Sequence, residues 1–175
     1  VDLSKPVLLR AENRDTRDTG FYRLDPGAAP KLLVMGARQF GVPVRAKHAD
    51  TLLLTAQTFA AYPDYYATTP GFVEFKRVTD VNPRAKEFNW GTAELVRYTS
   101  TDGAKLAGVL IKPENFDPSK KYPMVVYIYE RVSEGLHQFR LPNVVRGQII
   151  NPTFYASNGY LVLMPDIAYK VGAPG

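Results

Sequence analysis

Met124-Val125-Val126-Tyr127-Ile128-Tyr129 is an almost unbroken apolar and aromatic run. A strand with one wet face alternates apolar and polar residues, so a run of this kind fits a strand buried on both faces, inside a sheet covered by helices. A second such run, Tyr160-Leu161-Val162-Leu163-Met164, stops at Pro165-Asp166. Between the two, Asn143 to Ser157 reads as a helical or mixed segment. Its apolar face carries Ile149, Ile150, Phe154 and Tyr155, Pro152 interrupts it, and Asn158-Gly159 closes it in the manner of a helix C-cap. An apolar strand, a crossing segment and another apolar strand make the beginning of an α/β layer.

Towards the N-terminus, Ala93 to Thr99 and Leu106 to Ile111 flank Thr101-Asp102-Gly103. An Asp-Gly turn between apolar alternations predicts a hairpin. The polar stretch Pro113 to Pro123 then leads into the first apolar run. Before Val81-Asn82-Pro83 the pattern is different. Gly20 to Leu24 predicts a strand, Asp25-Pro26-Gly27 a turn, and Lys31 to Met35 a returning strand. Thr51 to Thr58, Tyr65 to Thr68 and Phe72 to Val78 read as further strands, the last two separated by the turn Thr69-Pro70-Gly71. Short strands with closely spaced turns suggest a sandwich, a barrel or a propeller blade.

Composition agrees with a β-rich chain. Fourteen Pro, 13 Gly, 11 Tyr and 9 Phe in 175 residues favour strands and turns over long helices. With 45% hydrophobic and 22% charged residues the chain can bury a core, which argues against disorder. The formal charge of +5 comes from scattered cations such as Arg10, Arg14, Arg17, Lys76 and Lys120. No basic stripe with interleaved aromatics forms a nucleic-acid groove, so no nucleic-acid partner is expected. No apolar run reaches the roughly 18 residues of a membrane helix, so no membrane-spanning segment is expected. The absence of Cys excludes disulfides, thiolate nucleophiles and cysteine-ligated metals, and leaves the compartment open. Val1 stands where a whole gene product would start with Met. The chain is therefore expected to have lost a leader or to begin inside a longer protein.

The residues hold no complete catalytic constellation. A serine hydrolase exposes its nucleophile on a strained G-x-S-x-G turn, and none of Ser4, Ser100, Ser119, Ser133 or Ser157 lies in one. Of the two histidines, His48 and His137, the second is the better candidate for a general base, and it reads more simply as a loop residue. Two histidines far apart in sequence, without an H-x-x-x-H pair, make a weak case for a metal site. Glu12, Asp15 and Asp18 alternate with Arg14 and Arg17 as in a solvated, self-compensating loop. Neither G-x-G-x-x-G nor G-x-x-x-x-G-K occurs, so no metal or cofactor is expected.

One ordered series of segments does point to a family. Tyr98-Thr99-Ser100-Thr101-Asp102-Gly103 through Leu110-Ile111-Lys112-Pro113, then Lys120-Lys121-Tyr122-Pro123 and the run to Tyr129, resembles the start of the hydrolase domain in the prolyl oligopeptidase / dipeptidyl peptidase family of serine peptidases. Gly159 to Asp166 is similar to the next core strand of that domain, and the first half resembles the closing strands of the family's β-propeller. The resemblance implies a β-rich mixed fold: residues 1–86 as the end of a β-propeller and residues 87–175 as the N-terminal portion of an α/β-hydrolase domain. It implies hydrolysis of short peptides through an acyl-enzyme, with the Ser/Asp/His triad C-terminal to this chain and supplied by the rest of the polypeptide.

One position with a role in the family falls inside the chain. The family tyrosine that lends its hydroxyl to the oxyanion hole is the sixth residue after the K-Y-P proline, and here that residue is Tyr129. A phenol held at a strand end can present a fixed donor to a developing oxyanion. The chain departs from the family in Glu130-Arg131-Val132-Ser133-Glu134-Gly135, where small residues are usual, and in Asp166-Ile167-Ala168-Tyr169, where Asp-x-Arg-Gly is usual. These departures leave substrate preference open. Two alternatives also stay open: a β-rich binding or scaffold module without catalysis, and an esterase on the same fold.

Overall fold

A computed structural model describes residues 2–142, 150–169 and 172. The chain divides into two compact units. The first holds residues 1–85 together with His137–Phe139, and the second holds 86–136 and 140–175.

The first unit contains two antiparallel sheets. Strands β1 (Val7–Glu12), β2 (Thr19–Leu24) and β3 (Lys31–Gly36) form a meander in the order β1-β2-β3, with the Asp25-Pro26-Gly27 turn where the sequence places it. Gly20 faces Val34 so closely that a Cβ would lie 2.0 Å from its carbonyl oxygen, so no larger residue fits this crossing without moving backbone. The second sheet comprises β4 (Gln39–Phe40), β5 (Val44–Arg45), β6 (Leu52–Gln57), β7 (Asp64–Thr68) and β8 (Lys76–Arg77), in the order β4-β6-β7-β8 with β5 also pairing with β6. Phe21, Phe40, Leu52, Leu54, Ala56 and Phe72 make one buried cluster. Within it the Phe21 and Phe72 rings stack at 4.8 Å.

That cluster explains one departure from the sequence reading. Phe72 to Val78 was expected to be a strand, yet only Lys76–Arg77 pairs. Phe72 takes a left-handed backbone conformation, φ 54°, which turns its ring onto Phe21. Burial of an aromatic ring offsets the backbone cost and breaks the ladder. The expected strand survives only where Tyr66 and Ala67 of β7 face Arg77 and Lys76.

The second unit is a four-stranded mixed sheet in the order β11-β12-β10-β9. Strands β9 (Thr92–Thr99) and β10 (Lys105–Lys112) form the expected hairpin around Asp102-Gly103, in register from Thr99↔Lys105 to Thr92↔Lys112. Just before β9, Gly91 has φ +74°, and a Cβ there would meet the Lys112 carbonyl at 2.1 Å. Two constraints therefore demand glycine at that site.

Strand β12 (Leu161–Pro165) runs antiparallel to β10 and parallel to β11 (Met124–Val126), with Met124 opposite Leu161. Parallel neighbours need a crossover connection, and helix α1 (Pro152–Ser157) lies on it. Asn151 caps α1 by accepting from the Phe154 N–H at 3.2 Å, with Pro152 in the first turn. The remainder of the expected helical segment, residues 143–149, lies outside the described residues. Ala107, Val109 and Ile111 of β10 share the buried face with Val162 and Met164 of β12, and Ala156 of α1 is buried too.

The apolar run Met124 to Tyr129 behaves differently from its expectation. Regular pairing covers Met124–Val126 alone, and Met124, Val126 and Ile128 are exposed. β11 is the outermost strand of its sheet, so one edge and one face stay uncovered among the described residues. The run has the composition of an inner strand and the surroundings of an edge.

Candidate active site around Tyr129

The segment after β11 keeps following β12. The Tyr127 N–H donates to the Leu163 carbonyl at 2.9 Å, and the Ile167 N–H donates to the Glu130 carbonyl at 3.0 Å. Tyr129 therefore sits on backbone held on both sides. Its side chain is 59% exposed, and among the described residues its hydroxyl has no hydrogen-bond partner. A phenol in this position is a donor available to a ligand.

Beyond Tyr129 the chain folds inward. Ser133 is fully buried, and Asp166 is 6% exposed. The Ser133 N–H donates to Asp166 Oδ1 at 2.8 Å, while its hydroxyl donates to Oδ2. Asp166 is in turn tied to the sheet. Its N–H donates to the Ala107 carbonyl of β10 at 2.8 Å, and its own carbonyl accepts from the Tyr98 hydroxyl of β9. Burial, and then the negative charge of Asp166, hold the Tyr98 phenol above its ordinary value. On the outer side, the Tyr169 hydroxyl lies 3.5 Å from Glu130 Oε1. Arg140 is shifted down by burial, which the Tyr127 phenol opposes. An arginine stays charged under such a shift.

The other residues singled out in sequence fall elsewhere. His137 belongs to the first unit, with Nε2 3.2 Å from Asp18 Oδ1, and the Phe139 N–H beside it donates to Gln57 Oε1 at 3.0 Å. His48 is exposed. Glu12 pairs with Arg17 at 3.2 Å, and no cluster of three potential metal ligands occurs among the described residues. The serine hydroxyls serve local structure. Ser4 donates to Asp2, Ser100 to Asp102, Ser119 to Asp117 and Ser157 to the Phe154 carbonyl. None donates to a histidine in these bonds, so nucleophile activation of the Ser–His kind is not assembled among them.

Sequence reasoning names Asp166 as the acidic end of a strand and the start of a departure from the family, and Ser133 as a serine outside any G-x-S-x-G turn and part of another departure, without pairing them. Their pairing spans 33 positions, and nothing local signals it.

A mixed sheet opening with a parallel strand pair, accompanied by an all-β unit, defines a β-rich mixed protein with few helices. No family model matches the chain. Among curated proteins, dipeptidyl-peptidase 5 of Porphyromonas endodontalis is 34% identical over 76 residues, which is 43% of this chain and 10% of that protein. Dipeptidyl peptidase 8 of Homo sapiens is 36% identical over 73 residues, 42% of this chain and 8% of that protein. Among solved structures, dipeptidyl peptidase 4 of Porphyromonas gingivalis superposes with TM-score 0.68 at 17% identity, covering 95% of this chain and 23% of that one. The acylaminoacyl peptidase of Pyrococcus horikoshii gives TM-score 0.61 at 17% identity, over 92% and 23%. The structural likeness speaks to the fold. The curated matches add a likeness in sequence, over less than half of this chain, to dipeptidyl peptidases. It spans about a tenth of the curated relatives' length in the matched stretch and about a quarter of the solved structures.

Proposed function

We propose that this chain is part of a serine peptidase of the prolyl oligopeptidase type that hydrolyses short peptides through an acyl-enzyme. In this reading residues 1–86 are the closing strands of a β-propeller, and residues 87–175 open an α/β-hydrolase domain. Division of the chain after Ala85 and the parallel β11/β12 pair support that arrangement. The Ser/Asp/His triad lies C-terminal to this chain, and Tyr129 contributes a hydroxyl to the oxyanion hole.

The observation that carries the reading is the state of Tyr129. Its backbone is held between the Leu163 and Ile167 hydrogen bonds, while its phenol is exposed and has no partner among the described residues. When a serine attacks a peptide carbonyl, charge develops on the carbonyl oxygen. A preorganised donor there lowers the barrier by about 3 kcal/mol, because it needs no reorganisation as the charge forms. Proton transfer from the serine and to the leaving amine falls to the histidine of the triad.

The test is hydrolysis of a panel of dipeptidyl p-nitroanilides by the full-length protein, with and without a serine-directed fluorophosphonate. Turnover abolished by the fluorophosphonate, together with no turnover by the 175-residue chain, is the expected result. Turnover by the 175-residue chain itself, or none by the full-length protein on any member of the panel, contradicts the reading.

A further inference from the structure

Among the described residues the exposed phenol of Tyr129 makes no hydrogen bond that would aim it, so its direction depends on the backbone that carries it. That backbone is a strap. At its start the Tyr127 N–H is bonded to Leu163, and just past Tyr129 the Glu130 carbonyl accepts from Ile167. A single hydrogen bond on the far side would let the strap pivot about it. The second attachment on that side is Ser133, whose N–H and hydroxyl engage the two different oxygens of the Asp166 carboxylate. Two donors from one residue to two acceptors on another fix orientation as well as distance.

Asp166 is equally well placed to pass on the geometry of the sheet. Its N–H reaches β10 at Ala107, its carbonyl receives Tyr98 from β9, and Ile167, the next residue, holds Glu130. Strands β9, β10 and β12 and the strap thus converge on residues 166–167. Burying a carboxylate costs more than burying an apolar pair of the same size, so the gain from this arrangement is geometric.

We infer that Asp166, acting through Ser133, is the positioning residue that sets the direction of the Tyr129 hydroxyl during catalysis. The inference rests on the oxyanion role proposed for Tyr129. Both side chains are buried, so they act on the strap rather than on an exposed surface. The carboxylate holds the far end of the strap, and misplacing a catalytic group by about 1 Å can reduce turnover roughly 100-fold.

The experiment is a double-mutant cycle in the full-length protein, with a dipeptidyl p-nitroanilide as probe, combining Ser133→Ala with Tyr129→Phe. S133A deletes one buried hydroxyl and leaves the N–H to Asp166 in place, and Asp166→Asn is the second variant. Circular dichroism and thermal melting confirm that each variant folds. The expected result is a roughly 10-fold fall in kcat for S133A with little change in KM, and no additional fall when S133A is added to Y129F. Independent, additive losses, or an unchanged kcat in both S133A and D166N, overturn the positioning role. An unchanged kcat in Y129F alone sinks the oxyanion reading instead, so the two failures are distinguishable.

If the full-length protein turns over none of the panel, amide hydrogen exchange decides whether the clamp exists. Faster exchange of residues 128–132 in S133A, by about 10-fold and with β12 unchanged, supports it. Equal exchange overturns it.

Discussion

Each unit buries a carboxylate near the end of a strand, and the two are satisfied in different ways. Asp64, in the first unit, accepts from Arg77 Nε and the Thr79 hydroxyl, each at 2.9 Å, and from the Val81 N–H at 2.9 Å. Arg77 also reaches Asp80, so a cation bridges two acids. Asp166, in the second unit, is held by the N–H and hydroxyl of Ser133. The first arrangement joins β7 to the segment that follows β8, all within one sheet and its exit. The second joins a sheet to the strap that carries an exposed tyrosine. Removing a partner of either buried acid leaves polar groups unsatisfied, and what is lost then depends on what the acid ties together.

Replacing Asp64 in the first unit, and Tyr98, which donates to the Asp166 carbonyl, in the second should separate these roles. Asp64→Ala leaves the Val81 N–H and the Thr79 hydroxyl without their acceptor and should destabilise the first unit by about 3 kcal/mol. Amide exchange across β6 and β7 during denaturant titration reads that loss, and a change below about 0.5 kcal/mol would mean the hydrogen bonds are remade by water. Tyr98→Phe in the second unit removes one neutral donor to a carbonyl. It should cost about 1 kcal/mol, seen as faster exchange in β9 and β10.

Asp64 and Tyr98 predict opposite responses to pH. Burial alone would raise the Asp64 carboxyl, but the hydrogen bonds from Val81, Thr79 and Arg77, with the Arg77 charge, outweigh it and leave it below the ordinary carboxylate value. Its contribution is therefore present above the unfolded pKa, near 3.9, and is lost as pH falls through the lower folded value. Tyr98 is shifted upward, so its contribution is complete below the unfolded value, near 10, and is lost as pH rises through the higher folded one. Acid should weaken the Asp64 anchor in the first unit, and alkali the Tyr98 contact in the second. Asp64→Asn should flatten the acid limb and Tyr98→Phe the alkaline limb of residue-resolved exchange. Identical limbs in the parent and variant proteins would refute the assignment.

Local chemistry made part of this molecule legible. The Asp102-Gly103 turn and the apolar alternation beside it predict β9 and β10, and two apolar runs separated by a crossing segment predict the parallel pair β11 and β12. Elements set by distant partners were less legible. Strand β1 went unread because Arg10 breaks its apolar run and its pairing depends on β2, across the Asn13 to Asp18 turn. Phe72 leaves its expected strand because a ring from β2 stacks on it. Tyr129 is singled out by resemblance, from its place six residues after the K-Y-P proline, whereas the Ser133–Asp166 contact is visible only in the folded chain.

The most direct test of the whole account is kcat for Tyr129→Phe in the full-length protein. The side chain is largely exposed, so the substitution should leave the melting temperature unchanged. An oxyanion donor predicts a roughly 100-fold fall in kcat with the nucleophile still reactive towards a fluorophosphonate. A kcat within twofold of the parent would show that Tyr129 is a surface tyrosine and would contradict the account.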